Sequence, residues 1–169
     1  MAEANAGADD LVDLAKFKDA MSRVAAAVHI VATDGPAGLG GITATAVTSI
    51  TVEPPSLLFC INRTSPSAQR IIENGVFTIN TLSPADQAIS DVFAGRTDQH
   101  LEDRFKSGVW TKLVTGAPVL STAVASFDCR VTDVKTVTTH EVIIGRVVAV
   151  QYGPEGESLG YVHRKYKSF

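Results

Sequence analysis

Eight of the eleven residues 42–52 are β-branched, and Pro54-Pro55 follows the run almost at once. Side chains stiff at χ1 fit a pleated strand and lower helix propensity, so the middle of the chain is committed to sheet. The same run settles the glycines before it. Gly38-Leu39-Gly40-Gly41 superficially matches a dinucleotide fingerprint, but position 43 is Thr, and a β-branched stretch stands where that fingerprint opens a helix. A Rossmann reading fails, and residues 34–41, with four glycines and a proline, are expected to be a loop between strands.

Further strands are expected at residues 27–33, at residues 56–61 between Pro-Pro and Asn-Arg, and at residues 76–82 after Asn74-Gly75. Beyond Trp110 the pattern is again β. Phe127, Cys129 and Val131 alternate with Asp128, Arg130 and Thr132, which predicts one wet face, and residues 142–151 form a last long strand before Gly153-Pro154. Three helices are expected. Leu14, Phe17, Met21 and Val24 recur at intervals of three and four, a face that should pack on a core. Ser65-Pro66 sets a capping hydroxyl before a first-turn proline, with the helix running to about Glu73. Ser83-Pro84, with Asp86 three residues after the cap, opens another that Gly95 stops. Short connections and no regular strand-helix alternation point to an antiparallel barrel or sandwich, read here as a β-barrel with peripheral helices.

The 169 residues suit a single domain, expected over residues 11–169, with residues 1–10 an acidic, flexible tail. Fifteen Lys and Arg against 18 Asp and Glu lack the basic excess that phosphate-backbone binding requires, so no nucleic acid is expected as partner. No apolar run approaches a membrane span, and the N-terminus has no apolar signal core. Two cysteines, Cys60 and Cys129, without CxxC or Cys/His spacing, fit a reducing cytoplasm. His29, His100, His140 and His163 are too scattered to suggest a metal, and no GxSxG, HExxH or paired-acid motif is present. A protein holding a redox cofactor would need none of these, because the cofactor carries the chemistry. The best phosphate candidate is 62–67, where a strand ends, Arg63 follows, and Ser65 and Ser67 meet a helix N-terminus. From those residues alone, capping by Ser65 and a solvated Arg63 explain the segment better than an anion site does.

The segment Gly-Ile-Thr-Ala-Thr-Ala-Val-Thr-Ser-Ile-Thr-Val-Glu-Pro-Pro at 41–55 resembles the GMTANSFTSVSLDPP signature of the short-chain flavin reductases. The likeness continues in order through Cys60-Ile61-Asn62, Phe93-Ala94-Gly95, Ile144-Gly145-Arg146-Val147 and Tyr161-Val162-His163-Arg164. It implies a split, FMN-binding Greek-key β-barrel, a homodimer, and an NAD(P)H:flavin oxidoreductase that supplies reduced FMN or FAD to a partner flavin monooxygenase. By position it would set Thr43, Ala44, Thr45 and Ser49 along the flavin ring and ribityl chain. Cys60 and Asn62 would stand beside the ring, Arg63, Ser65 and Ser67 around the phosphate, and His140 and His163 near the nicotinamide of NADH or NADPH. Many relatives carry Asn where this chain has Thr45, and Gly-Asp-His where it has Thr138-Thr139-His140. With no second domain for a dinucleotide, the nicotinamide must lie against the flavin, its C4 hydride within reach of N5; no side chain is expected to act as a catalyst. The competing readings are a non-catalytic flavin- or haem-binding split barrel and an oxidase of the pyridoxamine-phosphate type.

Overall fold

The computed structural model describes residues 11–169; the tail expected at residues 1–10 lies outside them. In chain order the elements are α1 (Leu14–Ser22), β1 (Ala26–Ala27), β2 (His29–Thr33), β3 (Gly40–Ala44), β4 (Val47–Val52), β5 (Pro55–Asn62) and α2 (Pro66–Asn74). There follow β6 (Val76–Thr81), α3 (Gln87–Phe93), β7 (Trp110–Lys112), β8 (Pro118–Leu120), β9 (Ala125–Val137), β10 (His140–Tyr152), β11 (Leu159–Val162) and β12 (Lys165–Ser168). Short 3₁₀ turns lie at Pro84–Asp86, ahead of α3, and at Leu101–Lys106.

Seven strands form one antiparallel sheet in the order β3-β2-β6-β9-β10-β5-β4. Its edges, β3 and β4, are consecutive in sequence and joined only by Thr45 and Ala46. A two-residue link cannot span a flat sheet of seven strands spaced about 4.8 Å apart, so the sheet curls until its edges meet at that end. No ladder joins β3 to β4, and the split barrel expected from the sequence is therefore not closed by hydrogen bonds. The β-branched run read as one extended segment is in fact two strands, because the chain crosses from one sheet edge to the other at Thr45-Ala46.

Strand β2 lies inside this curl with both faces covered. Val31 enters one cluster with Phe59, Ile71, Phe77 and Ile143, while Ile30 and Ala32 enter a second with Leu82, Phe93, Leu120 and Leu159. In the first cluster the Phe59 and Phe77 rings meet edge to face at 5.0 Å. Gly145 permits this packing: a Cβ there would stand 2.4 Å from Phe77 Cζ.

Three local expectations are corrected. Among the described residues the apolar face of α1 packs on no core: Leu14, Phe17, Met21 and Val24 are 50–64% exposed. Asp128, read onto a wet face, is buried, because the Thr115 loop covers it and donates to its carboxylate from both main-chain N–H and hydroxyl. Ser65 precedes α2 but its side chain makes no capping bond, whereas Ser83 and Asp86 form the expected reciprocal pair. Strands β11 and β12 were not anticipated. Their turn uses His163 and Arg164 at φ 51° and 59°, left-handed positions that normally signal themselves by Asn or Gly.

Burial gives β2 a pH response. His29 is pushed down to about 4 by desolvation, and its Nδ1 lies 3.1 Å from Thr81 Oγ1. Below its ordinary value of 6.5 the unfolded chain takes up a proton that the folded chain refuses, so this contribution to stability is lost as pH falls from 6.5 toward 4. Between pH 7 and pH 5 the loss should be about 2 kcal/mol. Urea unfolding at the two pH values should show a smaller drop for His29→Gln than for the wild type; equal drops would remove His29 as the cause.

Candidate functional site

Strand β3 pairs with β2 along one edge only, which leaves its other edge to side chains. Ser67, at the start of α2, fills part of it: the Gly41 N–H donates to Ser67 Oγ at 3.1 Å, and that hydroxyl donates to Gly41 O at 3.0 Å. Arg104 Nη1 donates to the same carbonyl at 3.2 Å and to Phe93 O at 3.3 Å, while its Nε reaches Gln99 O at 3.4 Å. Gly41 is required, since a Cβ would come within 2.7 Å of the Phe93 ring. Because strand residues alternate, the main-chain groups of Thr43 face the same open side as those of Gly41. The Thr43 hydroxyl is anchored to Ser90 O at 2.7 Å.

Two adjoining cavities follow this edge. The larger, of about 260 Å³, is walled by Val28, Ile42 to Thr45, Ala94, Arg96, Tyr161 and Tyr166. A second, of about 190 Å³, shares Ile42 and Ala94 with it and adds Ser65, Ser67, His100 and Arg104. Tyr161 and Tyr166 pack edge to face at 5.4 Å. The Tyr166 hydroxyl donates to Asp91 Oδ1 at 2.9 Å and lies 2.9 Å from Ser90 Oγ; burial, the main cause, raises its pKa. Arg96 Nη1 donates to Asp91 Oδ1 at 2.7 Å and to the Tyr166 oxygen at 3.2 Å, with the guanidinium 5.6 Å from the ring centroid.

The expected site residues fall into three groups. Thr43, Ala44, Thr45, Ser65 and Ser67 line the two cavities. Cys60, Asn62, Arg63 and His140 gather at the neighbouring end of β5 and β10. There the Cys60 N–H donates to Ala46 O at 3.0 Å, and His140 sits opposite Asn62 in register. Asn62 Oδ1 accepts from the Thr64 N–H and hydroxyl, and Arg63 Nε is 3.8 Å from the buried Glu141 carboxylate. His140 Nδ1 is 2.8 Å from Thr139 Oγ1. Ser49, exposed on β4, and His163, in the β11–β12 turn, lie on neither cavity wall. Both cysteines are free. Burial, reinforced by the Asp128 charge, pushes the Cys129 thiol up to about 12, so it is inert at neutral pH.

Sequence reasoning missed Arg96, Arg104 and Tyr166 as wall residues. Their places on the wall depend on partners far along the chain, the Tyr166 hydroxyl for Arg96 and the Gly41 carbonyl for Arg104. The residues present suit a flavin. A flat ring with a polar edge matches the apolar wall and the free main-chain edge of β3. A phosphate matches the Arg104 and Ser65 end, where the arginine's bonds go to uncharged carbonyls only.

A family model described as the flavin reductase like domain matches residues 21–169. The chain is 43% identical to the FMN reductase (NADH) RutF of Variovorax paradoxus over 160 residues, 95% of this chain and 88% of that one. A Haemophilus somnus crystal structure assigned as a flavin reductase superposes with TM-score 0.89 at 40% identity, covering 94% of this chain and all of the other. Component B of a nitrilotriacetate monooxygenase from Mycobacterium thermoresistibile gives TM-score 0.84 at 25% identity, over 92% and 86% of the two chains.

Proposed function

Since the chain belongs to the flavin reductase-like family, we propose that it is an NADH-dependent FMN reductase that hands reduced flavin to a separate monooxygenase. The observation that carries this reading is the open edge of β3, which runs from an apolar, tyrosine-walled cavity to an arginine- and serine-lined one. A bound flavin would supply the hydride acceptor, N5 of its ring, for the C4 hydrogen of a nicotinamide. The chain's own residues bind and orient. Thr43 offers its main-chain groups and Thr45 its main-chain N–H and hydroxyl along the ring edge, and Ala44 leaves room for a flat face. Ser65, Ser67 and Arg104 gather at the phosphate end, with Arg63 of the adjoining turn reinforcing the positive field. Cys60, Asn62 and His140 border the opening from β5 and β10. Ser49 and His163 are included on the family likeness alone. No side chain would have to change its protonation for a direct transfer of hydride between two cofactors held in contact.

The cytoplasm is the proposed compartment; among the described residues no helix is long and apolar enough to cross a membrane. A homodimer is proposed on the bare apolar face of α1 and the exposed Val148, Val150 and Tyr152 of β10, since unpartnered patches of this kind mark protein interfaces. Oxidation of NADH at 340 nm, followed with and without added FMN on protein whose mass is fixed by sedimentation, tests the whole reading. Flavin-dependent turnover by a particle of twice 17.8 kDa is expected. Tight flavin binding without NADH or NADPH oxidation would instead identify a carrier.

A further inference from the structure

The two arginines of the site are treated differently by their neighbours. Arg104, at the end of the second cavity, gives the bonds recorded for it to three main-chain carbonyls, which leave its charge intact. Arg96 is, among the described residues, the one charged side chain lining the larger cavity, and a carboxylate matches it. Its Nη1 donates to Asp91 Oδ1 at 2.7 Å and to the Tyr166 oxygen at 3.2 Å. The same Asp91 oxygen accepts from Tyr166, so one carboxylate holds two side chains of the wall and offsets the charge of one. We propose that Asp91, by compensating Arg96, keeps the ring cavity from favouring reduced over oxidised flavin, so that the reduced product is free to leave. This rests on the flavin site and the reductase reading given above.

The reason lies in the charge that hydride carries. The oxidised ring is neutral; a hydride brings two electrons and one proton, leaves the nicotinamide as a cation, and makes the ring an anion until a further proton is gained. A lone guanidinium on the cavity wall would attract that anion and barely affect the neutral ring, so it would hold product more tightly than substrate. With Asp91 beside it the wall presents a paired cation and anion, whose opposed attractions largely cancel across the cavity. The phosphate end needs no such compensation, because a phosphate has the same charge whether the ring is oxidised or reduced, and there the arginine is left without a carboxylate among its recorded bonds. The Arg96 and Asp91 side chains are 50% and 33% exposed, so screening by solvent limits the expected effect to about one order of magnitude.

The test is the midpoint potential of bound FMN against that of free FMN, measured anaerobically by dye equilibration on wild type and variants. In the wild type the two should agree within about 30 mV, the shift that a tenfold preference for either form produces in a two-electron couple. Asp91→Asn keeps an oxygen for Arg96 and Tyr166 and removes only the charge. It should bind reduced FMN about tenfold more tightly relative to oxidised FMN, which raises the potential by about 30 mV. Arg96→Ala leaves the carboxylate bare and should move the potential the opposite way, and the double variant should return it close to the wild-type value. A purely structural Asp91 would weaken both forms alike and leave the potential where it was, which overturns the proposal. Should Asp91→Asn fail to fold, a wild-type potential more than about 30 mV above that of free FMN, or no fall in Arg96→Ala, overturns it as well. Failure of the wild type to oxidise NADH while these shifts hold would remove the reductase reading alone and leave the charge compensation standing.

Discussion

Alanine in place of Phe77 is expected to lower the unfolding free energy by about 3–5 kcal/mol. The ring is fully buried, meets Phe59 edge to face at 5.0 Å, and lies directly over Gly145 of β10. It ties β6 to β10, two places along the sheet, and through Phe59 to β5, three places along. Its removal leaves a cavity between strands whose ladders prevent collapse. Against a whole stability of about 5–15 kcal/mol for a domain of this kind, such a loss would shift the denaturant midpoint severely. The contact with Gly145 makes the account testable beyond size. Gly145→Ala alone should destabilise by about 1–3 kcal/mol through overpacking, since the new methyl would stand 2.4 Å from the ring. Combined with Phe77→Ala, the same methyl loses its clash with the ring and keeps only the 3.1 Å contact with Cys129 Cβ, so the double variant should be clearly more stable than the sum of the two predicts. Additive costs in urea unfolding would show that Gly145 is there for another reason.

Much of this sheet could be read from the chain because period-2 alternation and turn residues are local signals. What escaped was set by contacts far apart in sequence. The run from 42 to 52 carries no mark of its break at Thr45-Ala46, since both halves have the same β-branched character and only the curl of the sheet separates them. Asp128 obeys the alternation yet is buried, because a loop thirteen residues earlier satisfies its carboxylate. Ser67 was expected at a phosphate; in the folded chain its hydroxyl also closes the edge of β3 at Gly41. The amphipathic pattern of α1 was legible, but a pattern states which face is apolar and not what covers it. At the candidate site, residues 43–45 were named only through an ordered family motif, whereas Ser65 and Ser67 were also marked by the strand end and helix start at 62–67. Arg96 and Arg104 sit in a loop whose sequence resembles any solvated turn. Gly41, correctly denied to a Rossmann fold, had a different cause that sequence could not supply: the Phe93 ring occupies the space of its Cβ.

Arg104→Ala is expected to weaken FMN binding about 100-fold, a loss of roughly 2.7 kcal/mol. Its guanidinium stands at the end of the second cavity with Ser65 and Ser67, and the three bonds recorded for it go to Gln99 O, Gly41 O and Phe93 O. Carbonyls orient an arginine without cancelling its charge, so the site keeps a fixed cation where a phosphate needs one, aided by the N-terminus of α2. The same bonds connect β3, α3 and the Leu101–Lys106 turn, and their loss should cost the flavin-free protein about 1 kcal/mol. The two effects separate with riboflavin, which has the ring but no phosphate. If Arg104 meets the phosphate, the variant should lose affinity for FMN and far less for riboflavin, and Arg104→Lys should recover part of the FMN loss. Fluorescence titration reads both ligands. An equal weakening for FMN and riboflavin would mean that Arg104 only holds the edge of β3 in place, and the phosphate would then have to be sought at Arg63, whose side chain is 54% exposed in the turn after β5.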